Sequence, residues 1–218
     1  MLAELQQQLS DIYQVESAHD VRDFLITDPT LARYIGQDAM LSNTEETLLV
    51  SQDEEGLLLS LFLDGAMLER LESANPLDCL RAGRLDDLWK VLEGISHFNC
   101  VAWKAGQDRT VTLLELELQG EIDKLVATAL MALAQADTDL LNRLHSWLFD
   151  DVRFHADLDG AQLDRYRAAN DYAARFCHRI REQLVQNDMA AFAELRQFYR
   201  LQAADKITHI HSRSWSQA

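Results

Sequence analysis

The sequence predicts a mainly α, α+β fold: a multi-helix, bundle-like domain with one small β-hairpin near residues 47–63. Three observations predict it. Only 8 Gly and 2 Pro punctuate 218 residues, against averages of ~7% and ~5%, so breakers are scarce and helices are long. Apolar residues recur at helical spacing along most of the chain. The exception is a pair of short apolar runs, TLLVSQ at 47–52 and LLLSLFL at 57–63. They flank the turn-like Asp53-Glu54-Glu55-Gly56 and read as two paired strands.

Residues 2–15 place Leu2, Leu5, Leu9, Ile12 and Tyr13 on one helical face, and Asp28-Pro29 starts a short helix that stops at Gly36. A lone hairpin is marginal in water, so its strands must pack on helices or pair with a further strand, from this chain or a second subunit. A short helix over 64–72 ends before Asn75-Pro76. From 85 onward the pattern is helical throughout, over about 85–105, 109–135, 137–149, 161–186 and 188–210, with Gly106, Asp137, Gly160 and Asn187-Asp188 as breaks or caps. This divides the chain into a small α/β part over 1–84 and a helical bundle over 85–218, expected to form one compact domain, with 150–160 as the alternative boundary.

The segment 109–135 is apolar on two opposite faces, one with Leu114, Leu118, Ile122 and Leu125, the other with Leu113, Leu116, Gly120 and Met131. Such a helix is central, and Gly120 marks a place where another backbone comes close. Between the faces run two polar stripes, Glu117, Glu121 and Lys124 on one side and Glu115, Gln119 and Asp123 on the other.

Lys and Arg number 20 against 36 Asp and Glu, for a formal net charge of −16. Polyanions are repelled by such a field, which disfavours nucleic acid. The charge is uneven: residues 1–159 hold 11 basic and 30 acidic side chains, whereas 160–218 hold 9 and 6. The start MLAELQQQLSDIYQVE has neither a basic leader nor a long apolar run, and the apolar stretches at 57–63 and 125–134 fall short of the ~20 residues that span a bilayer. A cytoplasmic protein is the expectation. Cys79, Cys100 and Cys177 form no CxxC pair and read as small buried apolar residues.

Most chemical templates fail. No two glycines lie closer than nine residues, which removes GxGxxG and P-loop cradles, and GxSxG, HExxH and paired-cysteine zinc patterns are missing too. No cofactor is therefore expected. A looser metal site would use Glu93 and His97, one helical turn apart, facing Glu117 and Glu121; the same Glu93 and His97 are the catalytic candidates. The plain alternative is a hydrogen-bonded polar seam with a Glu121–Lys124 pair. Arg175, Arg179 and His178 on the helix over 161–186 are candidates for binding an anion, against the alternative of a surface ladder with Asp171 and Glu182. His209-Ile210-His211 reads as an idle tail. Phe192, Leu195, Tyr199, Ala203 and Ile210 form a final apolar seam flanked by Arg196, Arg200 and Lys206.

These features lead first to a non-enzymatic acidic protein-interaction module, an adaptor, chaperone-like or regulatory factor, whose partner offers a basic or apolar surface; a homodimer is a further expectation. The alternative is a helical metal-dependent enzyme at the Glu/His cluster, and the third reading an anion or nucleotide sensor at the C-terminal arginines.

Overall fold

The computed structural model describes residues 1–37, 40, 44–54, 56–80, 82–152, 154–186 and 188–214, the side chains of Ala82, Arg213 and Ser214 excepted. Glu55 of the expected turn, Asn187 of the expected break and Arg153 of the 150–160 segment lie outside the described residues.

Helices dominate, as the scarcity of breakers requires. α1 spans Leu2–Tyr13, α2 Pro29–Gly36, α3 Gly65–Glu72, α4 Leu85–Ala105, α5 Leu113–Ala134, α6 Thr138–Phe149, α7 Gly160–Val185, α8 Met189–Arg200 and α9 Ala203–Ser214. Short polar side chains start most of them. The Asp28 carboxylate accepts from the Thr30 and Leu31 amides ahead of Pro29, and Asp159 and Gln162 form a capping box at α7.

The hairpin strands β2 (Glu46–Gln52) and β3 (Leu57–Leu63) pair antiparallel, with Val50 opposite Leu59. Their turn is closed by the Asp53 amide donating to the Gly56 carbonyl and the Gly56 amide donating to the Asp53 side chain, both at 3.0 Å. Gly56 has φ 143°, a conformation that favours glycine. The further strand comes from this chain: β1, Leu25–Ile26, runs parallel to β3 with Leu25 beside Leu61. β3 is therefore central, and it buries Leu61, Phe62 and Leu63 completely.

α5 packs against α4, α6 and α7 and also touches α1, in the central position that two apolar faces predict. One continuous apolar core runs from Leu5 to Ile210. The sheet lies on α4, where Gly94 admits it: a Cβ there would stand 2.9 Å from Leu61 Cδ1 and 3.1 Å from Glu46 Cγ. Gly94→Ala is expected to destabilise the fold by ~1–3 kcal/mol through overpacking, outweighing the ~1 kcal/mol helix-propensity gain. Urea unfolding measures the sign, and a net gain would refute this packing.

Several expectations are corrected. α5 begins at Leu113 rather than 109, because Thr112 adopts extended backbone and its hydroxyl accepts from the Glu115 amide. The helix expected over 188–210 is two helices, α8 and α9, broken at Leu201. There Arg109 donates to the Arg200 carbonyl at 2.9 Å. Leu113 is 59% exposed rather than inward. Cys79 is exposed, while Cys100 and Cys177 are buried. Lys206 does not flank the final seam: it is fully buried.

α1 and α8 meet although they lie far apart in sequence. The C-terminal carbonyls of α1, which have no intrahelical donors, are satisfied from α8: Arg196 donates to Ile12 O at 3.1 Å, and Arg200 to Tyr13 O and Gln14 O at 3.0 Å. Among the described residues no helix is long and apolar enough to cross a membrane.

Candidate metal site and buried polar seams

Both polar stripes of α5 face the interior. The first meets α4, where Glu93 and His97 sit one turn apart on the facing side. Gly120 makes the approach feasible: a Cβ there would stand 3.2 Å from His97 Nε2 and 3.5 Å from Glu93 Cγ. The close neighbour of Gly120 is thus the His97 side chain, not the backbone expected from sequence. β2 adds Glu46, whose carboxylate lies over Gly94, and α7 adds Arg165 and Tyr166.

Glu46, Glu93 and His97 each offer a ligating atom, and these atoms all lie within 4.8 Å of one another. Around one ion with bonds of ~2.0–2.2 Å, donor atoms stand no more than about 4.4 Å apart, so small side-chain movements would complete the set. His97 lies between two carboxylates, with Nδ1 3.9 Å from Glu46 Oε1 and Nε2 4.0 Å from Glu117 Oε2. Both separations exceed a hydrogen bond. Glu46 Oε1, His97 Nε2, Glu117 Oε2 and Arg165 Nε are buried and have no hydrogen-bond partner among the described residues. Buried polar atoms are rarely left so, and four gathered in one cluster require a reason.

Lys124 supplies part of the compensation, donating to Glu93 Oε2 at 3.1 Å and Glu121 Oε1 at 2.7 Å. Arg165 Nε stands 3.7 Å from Glu117 Oε1. Burial, and then Glu93 and Glu117, push the Glu46 carboxyl well above its ordinary range. Burial and Glu93 push Glu117 up to about 8. Burial raises Glu121 as well. Glu93 behaves differently: burial opposes its charge, yet Lys124 and His97 hold it below the usual carboxylate value. Burial pulls the His97 imidazole down, towards the neutral form that ligates metals, while Glu93 pulls it the other way.

The second stripe joins a different network. Lys104 and Lys206 both donate to Glu115, Lys206 also donates to Gln119 Oε1 at 3.0 Å, and Gln119 donates to Tyr13 at 3.1 Å and to Asp123 at 2.9 Å. Tyr13 and Ser96 donate to the two Asp123 oxygens. These contacts lock one helix against its neighbours without leaving the orphaned atoms of the first cluster. Burial raises the Asp123 carboxyl to about 6, although its hydrogen bonds from Ser96, Tyr13 and Gln119 pull it down. An acid raised on folding stabilises fully below its unfolded value, 3.8, and loses that contribution as pH rises through about 6. The melting temperature of the wild type relative to Asp123→Asn is therefore expected to fall from about pH 4 to about pH 7. A difference flat across that range would contradict the assignment.

The candidates Glu93, His97, Glu117 and Glu121 are brought together, with Glu121 drawn off by Lys124. Glu46, Arg165 and Tyr166 were missed as site residues. The anion candidates are each beside an acid: Arg175 pairs with Asp171 at 2.8 Å, Arg179 with Glu194, and the exposed His178 stands 3.9 Å from Glu182. His209 meets Glu194 at 2.7 Å and His211 the ring of Tyr172, so the two histidines of the tail have different neighbours.

The fold and cluster together define a helical protein with a small mixed sheet and a buried carboxylate–histidine site. Comparison with protein-family models, curated proteins and solved structures finds no match.

Proposed function

We propose that the protein binds one divalent transition-metal ion through Glu46, Glu93 and His97, with Glu117 beside it, as the centre of a metal-dependent enzyme. The observation that carries this reading is the convergence of three ligating side chains within 4.8 Å beside buried atoms that lack a hydrogen-bond partner among the described residues. Charge supports it. Glu46, Glu93, Glu117 and Glu121 outnumber Lys124 and Arg165 beside them, and a divalent ion would favour the ionised form of the Glu46 and Glu117 carboxyls, whose charge burial opposes. Two carboxylates and one imidazole suit Mn²⁺ or Fe²⁺, and three protein ligands leave coordination positions for water or substrate, unlike a closed structural site. Glu117 across the imidazole would orient it by taking the N–H opposite the metal.

The acidic excess behind the interaction-module expectation is in part internal, since Glu46, Glu93, Glu115, Glu117, Glu121 and Asp123 are buried or nearly so. That leaves less charge to steer an outside partner. Metal-stripped protein titrated with Mn²⁺ provides the test, read by loss of the free-ion electron paramagnetic resonance signal. One ion per chain is expected; no uptake of Mn²⁺, and no thermal stabilisation by Mn²⁺, Fe²⁺ or Zn²⁺, would overturn the reading.

A further inference from the structure

We infer that Arg165 anchors a small oxyanion, a carboxylate or a phosphate, that shares the site with the metal ion; this rests on the metal reading of Glu46, Glu93 and His97. Arg165 differs from other cations of the fold. Lys124 donates to two carboxylates at hydrogen-bond distance, and Arg70 and Arg179 each grip an acid through two nitrogens. Arg165 Nε is buried and donates to nothing among the described residues, the Glu117 Oε1 being 3.7 Å away. The side chain is 23% exposed, so it runs from the surface into the cluster. The Tyr166 ring centroid lies 5.4 Å from its Cζ and limits how far the guanidinium swings.

An unpaired buried guanidinium N–H is costly, and its planar fork matches the two oxygens of a carboxylate or phosphate. A contact with Glu117 alone would have closed to hydrogen-bond distance if charge neutralisation were its whole purpose. The Glu117 oxygen nearest His97 has no hydrogen-bond partner among the described residues either, so unmet polar atoms stand on both sides of the Glu117 carboxylate. An oxyanion entering past Arg165 would place one oxygen on an open metal position and accept the Arg165 N–H bonds with another.

The experiment uses the full chain loaded with Mn²⁺. Sodium acetate and inorganic phosphate are titrated separately at constant ionic strength set with chloride, and water-proton relaxation reports displacement of metal-bound water. A saturable fall in relaxation is expected with at least one of the two, and which one identifies the oxyanion. Arg165→Met should still take up one Mn²⁺ while binding the anion ~10–100-fold more weakly, the loss expected for a charge-assisted hydrogen bond. Arg165→Lys, with charge but no fork, should fall between. Mn²⁺ uptake without any anion response in the wild type, or an equal response in Arg165→Met, overturns this inference and leaves the metal site standing. Failure of Mn²⁺ to bind the wild type refutes the metal reading and this inference with it.

Discussion

Glu115→Ala should cost the native state ~3–5 kcal/mol, the loss seen when one partner of a buried ion pair is removed and the other stays behind. The carboxylate is almost wholly enclosed and serves two ammonium groups, Lys104 at 1% exposure and Lys206 at 0%. Both would be left in the core without their anion. Against a total stability of ~5–15 kcal/mol this is a large fraction, and for a chain of this size it should lower the melting point by about 10 °C or more. Glu115→Gln keeps an acceptor oxygen and should cost less. Lys206→Met removes one charge, fills the same space and leaves the Lys104–Glu115 pair, so it should be the mildest of the three. Should Glu115→Ala fail to fold, the order of the other two still decides the matter: Lys206→Met more damaging than Glu115→Gln would contradict the network.

Glu46→Gln is expected to separate stability from metal binding. The substitution preserves shape and removes a carboxyl whose charge burial, Glu93 and Glu117 disfavour. The metal-free variant should therefore be as stable as the wild type, or more so, near neutral pH. Metal should act oppositely on the two. A site occupied at ~100 times its dissociation constant stabilises the wild type by ~2.7 kcal/mol, and the variant should lose most of that. Thermal unfolding with and without Mn²⁺ measures both effects. A wild type indifferent to metal, or a variant with an undiminished response, would refute the assignment of Glu46 as a ligand. Activity often resides where a protein tolerates local instability, and this cluster has that character.

The helical frame was legible because its signals are local. The DPTL start of α2 and the scarcity of Gly and Pro need no partner to be read. So does the start of α5: Thr112-Leu113-Leu114-Glu115 is a Ser/Thr-x-x-Glu pattern, which marks the N-terminus at Thr112 better than the earlier polar residues do. The break at Leu201 was illegible, since no Gly or Pro marks it and its carbonyl partner, Arg109, lies far away in sequence. β1 was hidden for another reason: two residues carry no periodicity, and only β3 gives them a role. Half of the candidate site followed from the one-turn spacing of Glu93 with His97 and of Glu117 with Glu121. Glu46 did not, because its place depends on where the hairpin lies on α4, which the glycine at 94 permits but does not announce. Arg165 did not either, because only the packing of α7 on α5 turns it inward.

The arginines of α8 that close the end of α1 join two helices that are made far apart in time. Ribosomes add residues at ~5–20 per second, so the ~185 residues between them take ~10–40 s to synthesise. Through that interval Leu5, Leu9, Ile12 and Tyr13 wait for Arg196, Arg200 and the Tyr199 ring that stacks on Tyr13 at 4.2 Å. The nascent chain thus carries a greasy, unfinished α1 until α8 has followed it. Its exposure to holding chaperones, and to other nascent copies, is set by the rate of translation rather than by the stability of the finished fold.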